Sequence, residues 1–212
     1  MATNDSTLAE RMERVLPNVL PLNLRLDPII ELTEDQFVHF CEMNEIVRIE
    51  RSADGLLELS PLLVGDGGAR TIQVIMALGM WERTDETGVA VTNAGFILPN
   101  TAMRAPTAAW VTKSRLARLT IEDKRGFFPL CPDFVIEMRW ITDGLTVLQA
   151  KIEEYMANGA RLGWLLDPLQ RQAHIYRPNA EPEILDNPES ISADPELPGF
   201  TLNLNPIWEP VF

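Results

Sequence analysis

Glu137 and Arg139 stand two positions apart in Asp133-Phe-Val-Ile-Glu-Met-Arg139, a run that reads as a strand. Residues two apart on a strand share a face at about 3.3 Å of rise each, so this carboxylate and guanidinium point the same way. A carboxylate at a strand end can hold Mg²⁺, and a cation beside it can orient a water or stabilise charge as a phosphodiester is cut. The same spacing also describes a plain structural ion pair, the commoner arrangement. Asp133 is an unsuitable second ligand, because a four-residue step along a strand separates two carboxylates by about 13 Å. A partner acid has to come from an adjacent strand.

Other chemistries find little support. The two histidines, His39 and His174, have no metal-ligand spacing around them and read as structural. Gly65-Asp-Gly-Gly68 lacks the Lys-Ser/Thr and the preceding strand of a phosphate loop, and no serine occupies a nucleophile elbow. Two cysteines, Cys41 and Cys131, make neither a disulfide framework nor a four-ligand zinc site.

The 212 residues carry a net charge of −13, which argues against indiscriminate DNA binding. The charge is uneven. After Arg177 there are seven acids and no Lys or Arg, whereas residues 101–130 hold Arg104, Lys113, Arg115, Arg118, Lys124 and Arg125 against Glu122 and Asp123. That basic run is either a solvated face or a rim over an anionic substrate, with Arg104, Lys113 and Arg115 as its candidate contacts. No apolar stretch approaches the ~20 residues of a membrane-spanning helix, and Met1–Glu13 has no apolar signal-peptide centre. The expectation is a soluble, cytoplasmic protein with no membrane association.

These side chains must be positioned by a single domain's worth of elements. Residues 1–30, with Pro17, Pro21 and Pro28, read as a loosely attached arm. Thr33-Glu-Asp-Gln36 is a capping box that opens a helix to about Asn44. Ile46–Glu50 and Leu56–Leu59 flank Asp54-Gly55 as a hairpin. A helix follows over 69–82, then strands at 88–91, 95–98 and 108–111, and a helical or loop-like segment from Lys113 to Arg125. The strand at 133–139, a helix over 146–158 closed by Gly159, and a strand at 162–166 form a parallel crossover. Strands at 172–176 and 182–185 complete the sheet. Residues 190–212 are Pro-rich and wrap the surface, anchored by Phe200, Leu202 and Trp208. The class is α/β (α+β), a mixed sheet with helices on it.

The run Cys131-Pro-Asp-Phe-Val-Ile-Glu-Met-Arg139, with Leu148-Gln-Ala-Lys151, Glu154-Tyr155, Asn158-Gly159 and Gly163-Trp-Leu-Leu-Asp-Pro168, resembles a bacterial family of putative restriction endonucleases. That family, once a domain of unknown function, belongs to the PD-(D/E)XK nuclease superfamily. The resemblance extends upstream through Arg48-Ile-Glu50, Asp54-Gly55, Ser60-Pro61, Gly95-Phe96, Leu98-Pro99 and Arg104-Ala-Pro106. Downstream it reaches Ile175-Tyr-Arg-Pro178 and Leu197-Pro-Gly-Phe200, so it covers about residues 30–208. It implies a restriction-endonuclease-like core over residues 31–178 with Mg²⁺ (or Mn²⁺) at strand ends, DNA as substrate, and a possible homodimer. Residues 179–212 then form an acidic extension packed on that domain. By position, Glu137 matches the family's strand glutamate and Lys151 its helix lysine. Glu50 matches an upstream glutamate, and Arg139 stands where many superfamily members have Lys.

Two departures matter. The family's Arg-x-Pro-Asp element, whose Asp is the other metal ligand, is Arg104-Ala-Pro-Thr107 here. The Ser-Pro-Ser segment after the glutamate is Trp140-Ile-Thr142, which brings a bulky ring to the site's mouth. An uncharged hydroxyl is a poor substitute for a carboxylate at a hard cation. The expected metal set is therefore Glu137, Thr107 and Glu50, weak or unfilled, with Glu137, Lys151 and Arg139 as the catalytic candidates. Two outcomes stay open: a metal-dependent endonuclease with a degraded site, or an inactive relative that binds nucleic acid or protein. Lys151 also has a plain alternative, an i,i+3 pair with Glu154.

Overall fold

Phe134–Met138 and Leu162–Asp167 are buried at every position, as strands covered on both faces must be. They are the centre of the computed structural model, which describes residues 22–44, 47–60 and 65–211. In chain order the strands are β1 (Leu22–Arg25), β2 (Arg48–Arg51), β3 (Leu56–Ser60), β4 (Gly88–Val91), β5 (Phe96–Ile97), β6 (Met103–Arg104), β7 (Ala108–Thr112), β8 (Phe134–Met138), β9 (Leu162–Asp167), β10 (Gln172–Tyr176), β11 (Glu183–Asp186), β12 (Ser190–Ser192) and β13 (Thr201–Asn203). The helices are α1 (Glu34–Met43), α2 (Gly65–Asp85), α3 (Lys113–Leu116), α4 (Ile121–Arg125), α5 (Leu145–Ala157) and α6 (Asn205–Trp208).

Six strands form the main sheet in the order β11-β10-β9-β8-β7-β4, and five form a second sheet, β1-β3-β2-β6-β5. Among the described strands only β8 and β9 pair in parallel, in register from Phe134–Leu162 to Met138–Leu166, and α5 makes the crossover between them. Alternation divides the β8 side chains between two cores. Val135 joins Ala109, Val111 and Leu165 beneath Leu148, Ile152 and Tyr155 of α5. Phe134, Ile136 and Met138 face the other way, against Val74 and Leu78 of α2 and the C-terminal segment. A Cβ on Gly163 would lie 2.9 Å from Ile152 and 3.0 Å from Met156, so glycine there lets α5 lie close against β9. A third, smaller core of Phe37, Ile49, Leu57 and Met103 ties α1 to the second sheet.

The locally signalled elements form as expected. Thr33 and Gln36 make both capping-box bonds, Gly55 takes φ +84° in the hairpin turn, and Gly159 takes φ +106° after α5. Elsewhere the structure differs. Within the predicted arm, Leu22–Arg25 pairs antiparallel with β3, while residues 1–21 lie outside the described residues. Ile46, expected in β2, also lies outside them. The α2 helix begins at Gly65 rather than 69, and Arg70 in its second turn is held by the Ile207 and Trp208 carbonyls. Lys113–Arg125 is two short helices, and β6 is a strand that the sequence does not announce.

The C-terminal segment does more than wrap the surface. Ile191, Ala193, Leu197, Phe200, Leu202, Leu204, Ile207 and Trp208 are buried in the α2-side core, and Phe200 stacks on Trp164 with ring centroids 5.5 Å apart. Phe200→Ala is expected to destabilise the protein by about 3–5 kcal/mol, the range for deleting a buried Phe. Urea unfolding followed by tryptophan fluorescence measures it, and a loss below about 1 kcal/mol would show that the segment only coats the sheet.

Candidate active site

On α5, Leu148, Lys151, Ile152 and Tyr155 are buried, the i, i+3, i+4, i+7 face turned to the sheet. Lys151 stands in the middle of that apolar stripe, so its ammonium is carried inward. Its Nζ lies 2.7 Å from Glu137 Oε1 on β8 and 2.7 Å from Glu50 Oε2 on β2. One cation thus joins the two sheets through two carboxylates, all three side chains being buried. The Tyr155 hydroxyl donates to Glu137 Oε1 at 3.3 Å, and the Ala105 amide donates to Glu50 Oε1 at 3.0 Å.

Further cations surround Glu50. Arg104 Nη1 lies 3.7 Å and Arg48 Nε 3.9 Å from its carboxylate. Arg104 is also held by Glu58 at 2.7 Å and Glu154 at 2.6 Å. Burial alone would push Glu50 upward, but the charges of Lys151, Arg48 and Arg104 outweigh it and hold this carboxyl below the usual range. At Glu137 burial dominates over Lys151, and the charge of Glu50 adds to it, so this carboxyl lies above its ordinary value. Burial likewise pushes the Tyr155 phenol far up and keeps it a donor. The entry is a groove of about 420 Å³ lined by Glu58, Arg104, Thr146, Val147, Ala150, Lys151 and Glu154.

Thr107 immediately precedes β7. Ala108 pairs with Ile136, so the next step places Thr107 opposite Glu137 on the α5 side. Its hydroxyl accepts from the Met138 amide at 3.3 Å. Glu137, Lys151, Glu50 and Thr107 therefore come together, and the remaining candidates do not join them. Arg139 binds Asp167 at 2.8 Å and the Asp143 carbonyl, leaving the strand's acid without its guanidinium neighbour. Arg104 is buried and held between Glu58 and Glu154 where it lines the groove. Lys113 and Arg115 lie at the far end of β7, about 17–20 Å along the strand from Thr107. There Arg115 pairs with Asp133 at 3.1 Å, away from this site.

Trp140 packs on the α2-side core, not at the mouth. Lys151 reaches the two sheet glutamates, while Glu154 takes Arg104, so the i,i+3 pair is not formed. Sequence reading missed Tyr155, whose i+4 spacing from Lys151 signals a shared face, and Arg48, two residues before Glu50 on one strand. Glu58 carried no local signal.

A family model described as putative restriction endonuclease, Uma2, matches residues 34–205. The chain belongs to the Uma2 family. A solved structure described as a putative nuclease belonging to DUF820, from Anabaena variabilis, matches with a TM-score of 0.68 at 19% identity. The match covers 84% of this chain and 98% of that one, a likeness of fold. No curated protein matches the chain.

The family's nuclease chemistry implies a divalent cation, and the donor set here does not fit one. A hard cation such as Mg²⁺ needs oxygen ligands at about 2.0–2.1 Å in near-octahedral order. Among the described residues no three His, Cys, Asp or Glu side chains converge to hold a metal ion. Glu50 and Glu137 share the Lys151 ammonium instead, and Thr107 contributes no charge.

Lys151→Met leaves two buried carboxylates without their shared cation and is expected to cost about 3–5 kcal/mol, read by urea unfolding. Glu137, already raised, is raised further. A carboxyl that stays protonated when folded binds more protons than the unfolded chain, so stability falls as pH rises above about 4.3 toward the folded value. The variant is thus expected to be more stable near pH 5 than near pH 8. A flat profile across that window would contradict the assignment of Lys151 to these two acids.

Proposed function

We propose that this chain is a nuclease-fold member of the Uma2 family that contacts DNA but does not hydrolyse its phosphodiesters efficiently. One observation carries the reading: the position opposite Glu137 holds a threonine hydroxyl already engaged by the Met138 amide, and the two remaining acids are bridged by Lys151. Two carboxylates sharing an ammonium, with Arg48 and Arg104 beside Glu50, offer a divalent cation little net attraction. Entry of an ion would have to displace Lys151 from both partners. DNA as the partner is inferred from the family.

A second reading is metal-dependent DNA cleavage through a weakened site. It is favoured by the convergence of Glu137, Lys151 and Glu50 from three separate elements, which sets two carboxylates and an ammonium beside one groove.

Calorimetric titration with Mn²⁺, beside nicking of supercoiled plasmid in Mg²⁺ or Mn²⁺, separates the two. The native protein is expected to bind Mn²⁺ weakly and to leave plasmid intact, as Glu137→Ala does. Thr107→Asp restores a carboxylate and is expected to tighten Mn²⁺ binding about tenfold or more. Nicking by the native protein that Glu137→Ala abolishes would overturn the first reading in favour of the second. Failure of the metal-free protein to bind labelled duplex at low salt would remove DNA from the proposal.

A further inference from the structure

His174 is 2% exposed, and neither of its ring nitrogens has a hydrogen-bond partner among the described residues. Buried polar groups are nearly always paired, so an imidazole with a free donor and a free acceptor calls for an account. On β10, His174 stands opposite Leu165 and Gln172 stands opposite Asp167. The imidazole and the Asp167 carboxylate therefore share the α5 side of the sheet, one diagonal step apart. Asp167 is fully buried and accepts from Arg139 Nη1 at 2.8 Å and from the Leu169 and Gln170 amides. The Arg139 side chain is 18% exposed, and its Nε donates to the Asp143 carbonyl at 3.2 Å, closing the turn that leads into α5. Two further acids lie near. Asp186 on β11 is exposed and bound to Gln172, and Glu153 of α5 acts on Tyr176, two residues along β10.

We propose that His174 is a mild-acid switch: the protonated ring takes Asp167 from Arg139, the guanidinium turns out to water, and the turn over residues 139–143 loosens at the start of α5. The exchange stays local because one buried carboxylate serves either cation, while Arg139 already reaches solvent. Burial holds the imidazole below the ordinary histidine range. The charge of Asp167 works against burial, that of Arg139 works with it, and Asp186 adds a smaller upward pull. A histidine lowered in this way binds fewer protons folded than unfolded. Its contribution to stability is complete above about pH 6.5 and is lost as pH falls toward the folded value. Glu137 and Asp143, whose carboxyls burial raises, carry the opposite sign and favour the fold on acidification. Loosening between about pH 7 and pH 5 therefore belongs to His174. The proposal is independent of whether the chain cuts DNA.

Hydrogen exchange of the full chain at about pH 7.5 and about pH 5.5, corrected for intrinsic rates, tests it beside NMR titration of the His174 ring. Exchange over residues 139–145 is expected to quicken about tenfold or more in acid, with β8 and β9 unchanged. His174→Leu sets an apolar side chain beside Leu165 and Ile184 and is expected to abolish that response while keeping native protection at the higher pH. Arg139→Gln gives a second readout that does not depend on folding of the first variant. It removes the competing cation, so the His174 ring is expected to hold its proton about tenfold more tightly. A ring whose titration is unchanged in Arg139→Gln, or acid loosening that persists in His174→Leu, overturns the proposal. One-step unfolding of the whole chain in acid, with no separate loosening of 139–145, overturns it as well.

Discussion

Two carboxylates buried together require a shared cation, and the arrangement of this molecule answers to that requirement. Glu50 belongs to one sheet and Glu137 to the other, and Lys151 reaches both from the helix that crosses between β8 and β9. Without the ammonium, the acids would repel each other in a medium too poor in water to screen them. With it, the second sheet is tied to the main one, in addition to the apolar contact of Phe96 on β5 with the α5-side core. Arg104 extends the tie, linking Glu58 on β3 to Glu154 on α5. The same groups that could serve chemistry therefore hold the two sheets in place.

Threonine at 107 changes the balance of that cluster. A carboxylate there would add a third acid beside Glu50 and Glu137, which already share Lys151. The hydroxyl leaves the local charge satisfied by the chain's own side chains, and it stabilises the end of β8 through the Met138 amide. Position 107 thus serves strand pairing.

Much of the fold was legible because its signals are local. The Thr33 capping box, the Asp54-Gly55 turn, Gly159 after α5 and the apolar runs of β8 and β9 each announce an element within a few residues. The convergence of Glu50, Thr107, Glu137 and Lys151 was legible only through the family pattern, since 101 residues separate Glu50 from Lys151. What escaped was the choice of partner. Arg139 shares a strand with Glu137, yet Asp167 lies on the neighbouring strand where the guanidinium can reach it. Arg104 looked like part of a basic surface because charge runs say nothing of burial. The two residues of β6 pair with β2 and β5, partners distant in sequence that local preference does not announce.

The last strand pair and α6 supply one wall of the larger core. Trp164 and Phe134 keep one side bare unless Phe200 packs on it. Any loosening of residues 190–208 therefore uncovers an aromatic surface, the kind of patch on which destabilised chains aggregate.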